Sequence, residues 1–389
     1  MNAAVCIAAV SELSPGRYPD SGGLSLARDT LRHLFDEWPQ LEPRHIEGLF
    51  VCPPGMASGD AASLFAHETL FHELGIQPKV AETVNVGGAT YSVMLQRAAA
   101  LIEAGYVESV LCLGAGKFPK VGDRGGEQMA RMVSHPQFEF IYGAYIPALY
   151  AQAASAHMAR YGTTEAQLAR VAVSARKWAL NNPQALMREH GAITVDDVMS
   201  SRPICSPFKL LDCSVPCEGG AAILVTSRAM ARDITDQPAS LLGYGERHGF
   251  GHVSQAEDLT TLGAKDSGRQ AYEMAGVTAA DIGHAQLYDA FSINPIILLE
   301  DLGFCPAGEG GSFLEAGYCD PGGKLPVNTY GGLLSFGHTG DASGMSMIVE
   351  GAVQMMGLAG ERQLPGELTL VHSYGGMMCE HATLILGRE

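Results

Sequence analysis

This sequence is short of charge, and of positive charge above all. Only 17% of its 389 residues are charged, and 25 basic side chains stand against 42 acidic ones, a net charge of −17. Such a chain lacks the Lys and Arg that neutralise a phosphate backbone or an anionic bilayer, which disfavours nucleic acid and membrane as partners. An anionic ligand on a local basic patch stays compatible. No run approaches the ~20 apolar residues of a membrane-spanning helix. The start, Met1 to Val10, has no basic n-region of a signal peptide, and Gly387-Arg388-Glu389 is no peroxisomal address. A soluble, cytoplasmic protein is the expectation. Cysteine is present but unorganised: nine residues, an odd number, with no CxxC pair. Cys205, Cys213 and Cys217 have no evident fourth zinc ligand, so reduced thiols are expected and a metal site is not.

What the chain does have is apolar mass, 47% hydrophobic residues, and 47 glycines. Short apolar runs at Val5–Val10, Val110–Leu113, Ala221–Thr226, Leu368–His372 and Ala382–Leu386 read as buried strands. Helical spacing fills the gaps, over Leu24–Asp36, Ala89–Gly105, Pro147–Tyr161 and Ser343–Met356. Continuous apolar strands alternating with helices predict an α/β fold whose sheets are covered on both faces. The pattern divides in two: residues 1–228, with a loop insertion at about 115–210, and residues 229–389. Each half has an apolar strand, a glycine-rich turn and a helix, at Val84–Ala89 and at Val327–Gly344, so an internal duplication is expected.

The segment Val80 to Ala98, with Asn85-Val86-Gly87-Gly88-Ala89-Thr90 at its centre, resembles the nucleophile motif of sterol-carrier-type thiolases, Val-Asn-x-x-Cys-Ala-x-Gly-Ser. Gly88 falls on the cysteine. Further motifs follow in the family's order: His157-Met158 to Gly162, Asn182-Pro183, Arg202-Pro203, Leu211-Asp212-Cys213 and Glu218-Gly219-Gly220. Tyr288-Asp289-Ala290-Phe291-Ser292 is similar to His-Asp-Cys-Phe-Ser. Asn328 to His338 matches Asn-x-x-Gly-Gly-x-x-x-x-Gly-His, and Ser373-Tyr374-Gly375-Gly376 stands where thiolases carry a Cys-x-Gly loop. The resemblance covers nearly the whole chain. It implies a thiolase fold, five-layered αβαβα, built from two similar halves.

The resemblance also implies altered chemistry. Glycine at 88 forms no thioester, which closes the usual ping-pong acyl transfer. Ser373 takes the second cysteine's place, His338 survives, and Tyr288 replaces an oxyanion-site Asn or His. The glycine turn opens a helix, so the amides of Gly87, Gly88 and Ala89, with Gly376, are expected to polarise a thioester oxygen. Gly88 is expected to leave room for substrate where the thiol would stand. Asn85, Tyr330, Ser373 and Tyr374 are candidate pocket residues. Tyr288 and His338 form the candidate acid/base pair for retro-aldol cleavage of a β-hydroxyacyl-CoA. Thiolase-like aldolases of steroid side-chain degradation carry a Tyr at the Tyr288 position, and a second Tyr where this chain has His338.

Plainer uses stand beside these. Tyr288 can be a buried phenol bonded to backbone, His338 a loop pin, and Gly87-Gly88 a tight turn without a ligand. For Tyr330 and Tyr374 pocket lining and packing weigh equally, and His157 reads as a packed helix-end residue. Cys379 is a conceivable relocated nucleophile. Three functions are therefore open: an acyl-CoA aldolase, a non-catalytic acyl-CoA-binding or scaffold subunit, and a Claisen-type acyltransferase. No cofactor is expected beyond coenzyme A as part of the substrate. The expected partners are a second copy of the chain, since Val110–Leu113 reads as an edge strand, and a small OB-fold zinc-ribbon protein.

Overall fold

A computed structural model describes residues 4–55, 65–118, 125–143 and 145–389. Met1 to Ala3 and parts of the expected insertion (119–124 and 144) lie outside the described residues. The strands are β1 (Val5–Glu12), β2 (Gly48–Val51), β3 (Val80–Thr83), β4 (Ser109–Gly116) and β5 (Gly219–Ser227) in the first half. The second half contributes β6 (Ala239–His248), β7 (His284–Leu287), β8 (Leu368–Gly375) and β9 (Glu380–Gly387). They form one mixed sheet in the order β3-β2-β4-β5-β1-β6-β9-β8-β7. In both halves the spatial order runs first, fifth, fourth, second. The third place of the second half is taken by Val327, which bridges Ala285 in parallel. β1 and β6 join the halves through two residue pairs only, Cys6 with Ser240 and Ile7 with Ala239.

Alternation along the strands explains the layers. In β4, Val110 and Cys112 face one apolar cluster while Leu111 and Leu113 face another; in β1, Ile7 and Cys6 divide the same way. Side chains alternate across a sheet, so a strand that is apolar at every position is one buried on both faces. That reverses the edge-strand reading of Val110–Leu113: β4 lies inside the sheet, paired with β2 and β5. The edge of the first half is β3.

Two helices fill the middle layer. Of the 14 residues of α3 (Thr90–Glu103), 10 are buried. A helix buried nearly all round belongs inside a protein. A second such helix, Met345–Met355, has 10 of its 11 residues buried and contacts α3; both touch strands of both halves. By contrast α1 (Gly23–Glu37) buries one stripe, Leu26, Ala27, Thr30, Leu31 and Leu34, against β1, β4 and β5, and α2 (Ala66–Leu74) packs on β2 and β3. On the other side the helix Ala264–Ala275 packs on β6 and β9. The result is the five-layered αβαβα arrangement of a thiolase fold.

The connections between the fourth and fifth strands differ most between the halves. In the second half a short turn links β8 to β9. In the first, the chain from β4 to β5 carries the helices Ile146–Tyr161 and Glu165–Leu180 and then returns alongside the second half. That return holds His338 on both sides, through Val215 and Cys217.

Candidate active site

Tyr288 follows directly on β7, where its N–H donates to the His372 carbonyl at 3.0 Å. Asp289 beside it is buried, and its carboxylate accepts the Leu333 N–H at 2.7 Å. His338 is clamped by the returning segment: its N–H donates to Val215 at 2.7 Å, and its carbonyl accepts from Cys217 at 2.9 Å. These anchors bring the two side chains together, with Tyr288 Oη 3.1 Å from His338 Nε2 and 3.1 Å from Ser343 Oγ. The Tyr288 hydroxyl therefore bonds side chains, not backbone.

Both groups are neutral at neutral pH. Burial raises the Tyr288 phenol to about 12, against the opposing Ser343 hydrogen bond. Burial also lowers the His338 imidazole to about 4, and its Nδ1 has no hydrogen-bond partner among the described residues. His338 as a whole is half-buried, and Phe118 packs against its ring edge-on at 5.0 Å between centroids. Neutral partners sharing a hydrogen bond can take a proton and give one.

Gly88 meets this pair directly. A Cβ there would stand 2.6 Å from Cε2 and Cζ of Tyr288 and 2.5 Å from the Tyr374 carbonyl oxygen. The space of a thiol side chain is thus filled by the Tyr288 ring and is not left open for substrate. Gly87, at φ +57°, packs backbone to backbone on the β8–β9 turn, where its Cβ would lie 2.8 Å from the Gly376 nitrogen.

Two of the expected backbone donors are already used. Gly87 N–H donates to Asn85 Oδ1 at 3.0 Å, and Ala89 N–H donates to the Val86 carbonyl at 3.3 Å. The turn needs those bonds to close before α3 begins, so Asn85 shapes the loop. Gly88 and Gly376 N–H carry no such internal bond among the described residues. Ser373 is turned away: its hydroxyl bonds Ser92 of α3 at 2.6 Å and is fully buried. Alternation along β8 puts its neighbour next to the site instead, with the Tyr374 ring 4.7 Å from that of Tyr288. Tyr330 is buried and lines a separate cavity. His157 packs at its helix end, bonded to Thr163 and Glu300. Burial raises the Cys379 thiol, the opposite of nucleophile activation. Sequence reasoning missed Ser343 and Phe118. Ser343 follows His338 by five residues, but only the fold turns it onto the Tyr288 hydroxyl.

Fold and site together define a thiolase-type protein in which a glycine stands at the nucleophile position and a tyrosine ring fills the vacated space. A family model described as thiolase C-terminal domain-like matches residues 245–388. The chain is 35% identical over 304 residues to an acetyl-CoA acetyltransferase of Methanothermobacter thermautotrophicus, covering 78% of each. It is 32% identical over 370 residues to a steroid side-chain-cleaving aldolase of Thermomonospora curvata, covering 90% of this chain and 89% of that one. The solved structure "Ltp2-ChsH2(DUF35) aldolase" superposes with a TM-score of 0.85 at 30% identity, covering 99% of this chain and 97% of that one. The chain belongs to the thiolase superfamily. Among the described residues no helix is long and apolar enough to cross a membrane.

Proposed function

We propose that this protein cleaves a β-hydroxyacyl-CoA by a retro-aldol reaction without a covalent acyl-enzyme. The observation that carries the reading is the Tyr288 ring occupying the space of a residue-88 side chain while its hydroxyl bonds His338. Tyr288 oxygen takes the substrate's β-hydroxyl proton as its own proton passes to His338 Nε2. The C–C bond then breaks, its electron pair forming the thioester enolate and leaving a carbonyl product. Gly88 and Gly376 N–H donate to the enolate oxygen. The proton returns from His338 through Tyr288 to the α-carbon, so the cycle closes with no net proton.

The steroid side-chain-cleaving aldolase relative supports a steroid or similarly bulky β-hydroxyacyl-CoA as substrate, and the aldolase structure, which pairs Ltp2 with the DUF35 protein ChsH2, supports a small partner protein. Similarity to the acetyltransferase favours a second reading, acyl transfer through a relocated thiol. Incubating the protein with a β-hydroxyacyl-CoA and following the shortened acyl-CoA and the carbonyl product by mass spectrometry tests the first reading. Absence of cleavage, with and without a partner protein, would refute it.

A further inference from the structure

A cavity of about 240 Å³ is bounded by the end of β1, the end of α1 and the helix Met345–Met355, and neither Tyr288 nor His338 lines it. Its apolar walls are Val10, Phe336, Val349, Val353 and Leu358. Most of its polar groups are already committed. Glu350 accepts from Thr329 Oγ1 at 2.6 Å, Gln354 Nε2 at 3.0 Å and Arg362 Nη2 at 2.8 Å. Asn182 donates to the Tyr330 carbonyl at 2.9 Å and accepts the Gln184 N–H at 3.1 Å. Ser11 bonds His33, and Ser346 donates to Glu12. Two polar atoms of the lining residues are buried and have no hydrogen-bond partner among the described residues: the Tyr330 hydroxyl, on a residue 2% exposed, and Arg362 Nε. A buried donor without an acceptor costs on the order of 1–3 kcal/mol, so a site that keeps two on one cavity wall is suited to an acceptor from outside.

From this we infer that the cavity binds a small neutral carbonyl compound, its oxygen held by Tyr330 and Arg362 and its short aliphatic part against Val349, Val353 and Leu358. Charge decides between a neutral ligand and an anion. Arg362 is already balanced by Glu350, and Glu37 adds a negative charge at the cavity edge. A carboxylate would enter with no net positive charge to meet it, at a high desolvation cost. Size limits the ligand as well, since the volume falls below the ~300–1,000 Å³ of ordinary ligand pockets. Glu12 reinforces the preference: burial raises its carboxyl to about 8, helped by Glu350 and opposed by Ser346 and Arg362, so at neutral pH it is a third donor and carries no charge.

The test is direct binding to the intact protein by ligand-observed NMR, with 2-heptanone as the neutral probe and hexanoate as an anion of similar length. 2-Heptanone should bind, Tyr330→Phe should weaken it about fivefold, the net worth of one hydrogen bond, and hexanoate should bind more weakly. Raising the pH through about 8 ionises Glu12 among Glu37, Glu350 and Arg362, and should weaken 2-heptanone binding in the wild type but not in Glu12→Gln. Tighter binding of hexanoate would overturn the neutral-ligand assignment. No binding of either probe, or binding indifferent to Tyr330→Phe, would leave an ordinary water-filled cavity and overturn the site itself. Neither probe is an acyl-CoA, so failure here leaves the aldolase reading standing on its own test.

Discussion

Gly88→Ala asks whether the placement of the Tyr288 ring depends on the missing side chain. Gly88 is not among the positive-φ glycines, so alanine suits its backbone and the effect is one of space. The new Cβ would stand 2.6 Å from the Tyr288 ring and 2.5 Å from the Tyr374 oxygen. Carbon atoms pack at roughly 3.5–4.0 Å, so the ring must retreat by about 1 Å. The Tyr374 contact is to backbone and gives less. Overpacking of this kind costs roughly 1–3 kcal/mol. A retreat of 1 Å also breaks the 3.1 Å bond to His338, and misplacement on that scale costs about 10²-fold in rate. The assay is turnover of a β-hydroxyacyl-CoA alongside thermal melting of Gly88→Ala, Tyr288→Ala and the double variant. Positions in contact are non-additive, so the double variant should melt above the sum of the two single losses. A Gly88→Ala protein with full turnover and unchanged melting would refute the steric coupling and, with it, the reason for glycine at 88.

Tyr288→Phe removes only the hydroxyl, so melting should change little while turnover falls ~10²- to 10⁴-fold; His338→Ala should act alike, and the double variant should lose no more than the worse single one. Full activity in Tyr288→Phe would end the aldolase reading. Mixing with acetyl-CoA should add no mass of ~42 Da, because position 88 has no nucleophile; an adduct on Cys379, read by peptide mapping, would instead support acyl transfer. Acid should unfold the protein partly through His381, whose ring is 1% exposed and lowered by burial from 6.5 to about 4. The unfolded chain binds that proton more tightly, so stability present above pH 6.5 is lost as pH falls toward 4, by about 3 kcal/mol. His381→Gln should flatten that acid limb in urea melts at successive pH values, and an unchanged limb would show that other groups set it.

Much of the fold was legible because periodicity is a local property. The runs at Val5–Val10 and Ala382–Leu386 fall within β1 and β9, and the helical spacing from Leu24 differs from α1 by one residue at each end. Collinear motifs gave the superfamily, and motif position alone singled out Tyr288 and His338. Other expectations failed where they depended on a third element. Val110–Leu113 looks the same whether its apolar faces meet a partner chain or two layers of helix, and only the packing of α1 and α3 decided it. The amides of Gly87 and Ala89 look free until the turn closes on Asn85 and Val86. Ser373 and Tyr374 are adjacent in sequence, yet pleating sends one to Ser92 and the other beside Tyr288. The sequence by itself determined that no thioester forms at position 88, since that follows from residue identity. Only the tertiary structure decided what fills the space, because the Tyr288 ring arrives there from the other half of the chain, 200 residues away.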